Sequence, residues 1–107
     1  MQEVFTLSNK KRGLEKEREL KQIFAGKGYA VSRARGSFGY FDLMCMDQKE
    51  ILLIQIKRVK GKYYSFKKEI EEIQNFKNHP PNTKKMIYIW LDRMEGRKAG
   101  WIKKKIK

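Results

Sequence analysis

The chain has 107 residues, 40% of them apolar, with 26 Lys+Arg against 12 Asp+Glu and a formal charge of +14. That length allows one small domain burying roughly 65% of its unfolded surface, so pairing into a dimer would help it, and the charge points to acidic polymers, nucleic acid above all. The longest apolar run, Ile51-Leu52-Leu53-Ile54, is too short to span a bilayer, no lipidation signal or long amphipathic helix argues for a membrane surface, and Met1–Arg12 lacks the apolar stretch of a secretory signal.

Ser8–Gly13 is polar and basic and reads as a mobile approach to the first helix. That helix is expected over Leu14–Lys27, with Leu20, Ile23 and Phe24 at helical spacing and Gly26 and Gly28 bracketing its end. Tyr29–Arg33 reads as a short strand, and Ala34–Gly39 as a loop with two glycines. Strands follow at Tyr40–Met46 and Ile51–Lys57, joined by the polar Asp47-Gln48-Lys49-Glu50 as a hairpin. Cys45 stands alone in mid-strand, a small hydrophobe suited to a reducing, intracellular setting, and no Cys/His spacing suits zinc. Gly61 interrupts a basic stretch. Ser65 is placed to N-cap a helix over Phe66–Lys77, with Ile70, Ile73 and Phe76 or Phe66 inward. Asn78–Asn82 contains two prolines and is a loop. Met86–Leu91 and Ala99–Ile106 read as the last strands, and Trp90 and Trp101 within them as packing residues of the core or of a dimer interface. His79 has no Cys or His neighbour and reads as an exposed loop residue. The chain shows no repeat or linker. Residues 1–107 therefore read as one domain, an α/β fold in the order αβββαββ with a mixed sheet of about five strands flanked by helices.

Three polar residues break the apolar pattern of the hairpin. With Gln48 and Lys49 at its tip, Asp42 falls opposite Gln55, with Cβ atoms roughly 5 Å apart. Lys57, two residues beyond Gln55, shares that face. Ile51–Ile56 is otherwise apolar on both faces, as in a central, covered strand, and buried amides and ammoniums are costly unless partnered. A carboxylate, an amide oxygen and an ammonium gathered at one end of a hairpin suit a divalent metal, a phosphate and an attacking water. The plainer alternative is a partly exposed Gln55 and a Lys57 that merely begins a loop.

Glu17 lies three and seven residues before Leu20 and Phe24, so it projects from the apolar stripe of the first helix, either as a site residue or as an edge carboxylate. In the loop that leads into Asp42, Arg33 and Arg35 offer bidentate phosphate contacts and Ser37 a hydroxyl and an amide. Arg58, Lys60 and Lys62 follow Lys57, and Lys103–Lys105 extends the basic surface.

Five segments in order carry a family resemblance: Arg12-Gly13 then Glu17-Arg18; Gly28-Tyr29-Ala30-Val31-Ser32-Arg33; Gly36-Ser37; Phe41-Asp42-Leu43; and Ile54-Gln55-Ile56-Lys57. Over roughly residues 10–77 the chain resembles the PD-(D/E)xK nuclease superfamily, and within it the archaeal-type Holliday-junction resolvases. The resemblance implies a restriction-endonuclease-like core and a magnesium-dependent endonuclease, with manganese as a substitute, acting on branched DNA as a homodimer with two active sites. On that reading Glu17, Asp42, Gln55 and the Ile56 carbonyl hold the metal. Lys57 orients the attacking water or stabilises the phosphorane. Arg33 and Ser37 hold the scissile phosphate or shape the junction site, and Arg12, Arg35, Arg58, Lys60 and Lys62 contact DNA. Two positions depart from the family pattern. Phe41 stands where proline is usual and Gln55 where glutamate is more common, which removes one negative charge from the metal site. The alternatives are a nuclease of the same fold for other DNA structures, flaps and duplex included, and a catalytically inactive DNA-binding descendant.

Overall fold

Ile51–Val59 organises the molecule because its side chains are apolar on both faces: Leu52 and Ile54 are buried on one, Leu53 and Val59 on the other. The computed structural model describes residues 2–34 and 40–107, with side chains from residue 14 onward. Its elements are α1 (Gln2–Gly26), β1 (Ala30–Arg33), β2 (Leu43–Met46), β3 (Ile51–Val59), α2 (Lys67–Asn75), β4 (Thr83–Leu91) and β5 (Gly100–Ile106). They form one mixed five-stranded sheet in the order β1-β2-β3-β4-β5. Only β3 and β4 run parallel, and α2 makes the crossover between them. The expected fold class and element order are therefore those of the molecule.

Each helix covers one face. Leu20 and Phe24 of α1 pack on Leu43, Cys45, Leu52, Ile54 and Tyr88. Burial pushes the Cys45 thiol up to about 11, so it behaves as a hydrophobe at neutral pH. Ile23, expected inward, is exposed, because the stripe runs through residues 17, 20 and 24. Ile73 of α2 packs on Leu53, Val59, Ile87, Ile89 and Ile106, with Phe66, Ile70 and Phe76 around it.

Helix α1 begins at Gln2, so Ser8–Gly13 lies within it rather than leading into it. Gly13 costs about 1 kcal/mol against alanine, too little to stop a helix that continues on both sides. Its end is set by Gly28, whose φ of 96° lets the Gly28 and Tyr29 amides return to the Ala25 and Phe24 carbonyls. The helix is fastened to the far edge of the sheet by two half-buried tryptophans. The Trp101 indole N–H donates to Glu19 at 3.1 Å, the Lys16 ammonium lies 3.2 Å from the Trp90 ring centre, and the two indoles meet edge to face at 5.2 Å.

Helix α2 starts one residue later than expected. Phe66 occupies its N-cap without a side-chain hydrogen bond, leaving Ser65 outside the cap. Nine residues are too few for independent stability, and Lys85 supplies what the sequence of the helix lacks. Its buried ammonium donates to the carbonyls of Ile73 (2.9 Å), Gln74 (3.2 Å) and Phe76 (3.0 Å), closing the C-terminus with a positive charge.

Candidate active site

The site lies where β2 stops and β3 continues. The hairpin has the expected register, Leu43 pairing with Ile54 and Met46 with Ile51. At Asp42 the ladder changes. The Asp42 amide donates to the Ile54 carbonyl at 2.8 Å, one residue out of step with the Leu43–Ile54 pair that ends the ladder. The Asp42 carboxylate then accepts the Ile56 amide at 2.8 Å. Asp42 thus does not pair squarely with Gln55 as expected; it brackets that residue from both sides. A charge-assisted bond of this kind fixes a carboxylate more firmly than a neutral one would. The Ile56 carbonyl points to the same side as its amide, beyond the last β2 pair, and so looks toward the same space.

Gln55 carries the central anomaly. Its Oε1 is buried and has no hydrogen-bond partner among the described residues. A buried acceptor left unsatisfied costs about 1–3 kcal/mol, and such an atom in a folded chain calls for an explanation. Alternation places Gln55 and Lys57 on the α2 face, in line with Leu53 and Val59. Lys57 is half-buried beside Ile89 in the ladder and makes no hydrogen bond or ion pair to another described residue.

Glu17 reaches the same end of the sheet from the α1 layer. It is 4% exposed, and Arg33 Nε donates to its Oε1 at 2.6 Å. Arg33 in turn precedes Ala34, whose amide donates to the Asp42 carbonyl at 2.9 Å. Glu17 and Asp42 therefore flank the end of β1, and Arg33 is engaged with a buried carboxylate while remaining half-exposed. Arg58 is engaged too. It forms a bidentate pair with Asp92, Nε lying 3.1 Å from both oxygens and Nη2 2.9 Å from Oδ1. Lys60 and Lys62 are exposed. Arg35 and Ser37, and the side chain of Arg12, lie outside the described residues.

Sequence reasoning passed over Asp92, Arg97 and Lys85. Asp92 accepts from Arg58 and, at 2.9 Å, from the Trp90 indole. Burial pushes its carboxyl up, but the hydrogen bonds and charge of Arg58, with the Trp90 hydrogen bond and the charge of Lys60 after them, hold it below the usual carboxylate range. The available signal was a lone acid closing a strong strand in a chain with a large excess of cations. For Lys85 it was period two, since 85, 87 and 89 share a face of β4.

Among the described residues no group of three or more His, Cys, Asp or Glu side chains is placed to hold a metal ion. The candidate donors at this end of the sheet are of another kind: the Asp42 carboxylate bonded to Ile56, the Gln55 amide oxygen and the Ile56 carbonyl on β3, and Glu17 approaching from the α1 layer. All are hard oxygens, the set that suits magnesium or manganese rather than zinc or copper. The residues fit such an ion, with one negative charge fewer than a third carboxylate would supply.

The chain thus presents a mixed α/β sheet with an acid, an amide oxygen and a lysine at the end of its central hairpin. A family model described as archaeal Holliday junction resolvase (Hjc) matches residues 8–101, and the chain belongs to that family. The crossover junction endodeoxyribonuclease Hjc of Methanocaldococcus jannaschii is 37% identical over 67 residues, which cover 62% of this chain and 50% of that protein. The chain thus matches about half the length of that relative. No described helix is long and apolar enough to cross a membrane.

Proposed function

We propose that the protein is a divalent-metal-dependent endodeoxyribonuclease that cuts branched DNA, four-way junctions above all, and works as a homodimer. The observation that carries this reading is the buried Gln55 Oε1, without a partner among the described residues, beside a carboxylate clamped to Ile56. Family membership supports the junction as substrate, and the charge of +14 supports a polyanion.

Asp42, Glu17, Gln55 and the Ile56 carbonyl would hold magnesium or manganese, which when bound acidifies water and neutralises phosphate charge. The protein's own contribution is geometric and electrostatic. The Asp42–Ile56 bond holds the carboxylate at the strand end, so no reorganisation is needed there. Lys57, on the face of Gln55, brings a positive charge to the developing phosphorane or orients the attacking water. Arg33 holds Glu17 in place and keeps half of its own surface for phosphate. The missing charge at Gln55 favours one second reading, a DNA-binding protein that does not cut.

The test is cleavage of a synthetic four-way junction beside a linear duplex of equal length, in magnesium and in manganese. Wild type should cut the junction, and Asp42→Asn, which keeps an acceptor for Ile56 but removes the charge, should not. Cutting that survives Asp42→Asn would overturn the assigned site. Tight, salt-sensitive binding without cutting in either metal would establish the second reading.

A further inference from the structure

The segment after β3 ends in a feature the metal site does not use. Tyr63 is 86% exposed, the most exposed of the large hydrophobic side chains described, and Lys62 Nζ lies 5.6 Å from its ring centre. An aromatic so far out of the core contributes nothing to folding.

Its surroundings are fixed. Arg97 donates through Nη1 to the Gly61 carbonyl at 2.8 Å, and through Nε and Nη2 to the Asp92 carbonyl at 3.0 and 2.7 Å. The Asp92 amide closes the frame on the Val59 carbonyl at 2.8 Å, and the Arg58 pair holds the Asp92 carboxylate. On the other side the Tyr64 and Phe66 rings meet at 5.7 Å. A short loop held at both ends presents Tyr63 outward with little conformational entropy left to lose.

Lys57–Lys68 also contains six cations and no acid. A protein partner is poorly served by this, because interface centres are depleted in lysine. A nucleic acid is well served: exposed Lys60 and Lys62 suit phosphates, and the exposed ring of Tyr63, with Lys62 against it, suits a base. Bases within a continuous duplex already stack on one another, so the ring needs a base whose face is open, as at a branch point, a gap or a single strand.

We propose that Tyr63 is a base-stacking residue, on a loop held by the Arg97 strut and next to the cations Lys60 and Lys62 in the chain, through which the protein distinguishes DNA with unstacked bases from continuous duplex. This rests on DNA being the substrate and adds the residue that senses its structure. Tyr63 acts in binding and takes no part in hydrolysis.

The experiment compares wild type, Tyr63→Ala, Tyr63→Phe and Lys62→Ala in binding a four-way junction and a linear duplex of equal length across a salt series. A substitution this exposed leaves folding intact. Tyr63→Ala should lose about tenfold in junction affinity, stay within about twofold on duplex because no open base face is offered there, and keep the salt slope. Tyr63→Phe should restore the junction affinity, and Lys62→Ala should weaken both ligands and reduce the salt slope by about 1. Equal losses on junction and duplex, no loss at all, or a Phe variant as weak as Ala would overturn the stacking role while leaving the nuclease reading intact. A wild-type protein that does not prefer the junction would overturn the branched-DNA reading and the stacking role with it.

Discussion

Replacing Gln55 by leucine separates stability from function at one atom. The side chain is half-buried in a central strand, and its Oε1 is buried without a partner among the described residues. In metal-free buffer that oxygen carries a desolvation cost of about 1–3 kcal/mol. Leucine has a similar shape and no acceptor to satisfy, so Gln55→Leu should be more stable by about 1.5 kcal/mol, in the lower half of that range once loss of the exposed amide end is allowed for. For a domain of this size such a gain raises Tm by roughly 6–12 °C. Urea and thermal unfolding in a chelator, followed by circular dichroism, measure it directly, and junction cleavage should be abolished in the same variant. A Gln55→Leu protein less stable than wild type would show that the oxygen has a partner in the folded chain, and the argument for a ligand position would fail. Gln55→Glu is the companion change. It adds the charge the site lacks, so it should preserve or raise cleavage at low magnesium, and an inactive, well-folded Gln55→Glu protein would count against a metal-ligand role.

Other expectations follow from the same contacts. Lys57→Ala should abolish cleavage yet weaken junction binding only about twofold, since Lys57 is one of 26 cations; an equal fall in both would contradict its catalytic assignment. Asp92 is held below its ordinary value of 3.8, so the stability it contributes is present above that value and lost as pH falls through the lower, folded one. Urea unfolding should accordingly show Asp92→Asn weaker than wild type at pH 7, with the difference shrinking below about pH 4. Lys85→Met should cost about 2–4 kcal/mol, because one buried and two partly buried carbonyls at the end of α2 lose their donor at once, and a loss under about 0.5 kcal/mol would mean those carbonyls find water.

The hairpin part of the candidate site was legible in the sequence because it is built from neighbours across two adjacent strands. The polar tip at Gln48 and Lys49 set the register, and alternation put Gln55 and Lys57 on one face. The offset at Asp42, where the β2–β3 ladder ends, was not legible. It arises because the chain leaves the ladder there and a side chain replaces a backbone acceptor for Ile56, an exchange no periodicity records. The start of α2 was misplaced by the same limitation: Ser65 is a good cap by type, but the packing of Phe66 and Ile70 decides where the helix begins.

The sequence by itself determined the order of elements, the two apolar faces of β3 and the presence of an acid, an amide and a lysine at its end, because periods of two and 3.6 residues are local properties of the backbone. Only the tertiary structure decided what each charge is for. Arg33, Arg58 and Lys85 carry the same charge as Lys60 and Lys62, yet the first is held by Glu17, the second by Asp92 and the third by the end of a helix, while the last two stay exposed. The partners in those pairs stand 16, 34 and 12 residues apart. Coulombic and hydrogen-bond energies depend on distance in space, and folding alone sets that distance.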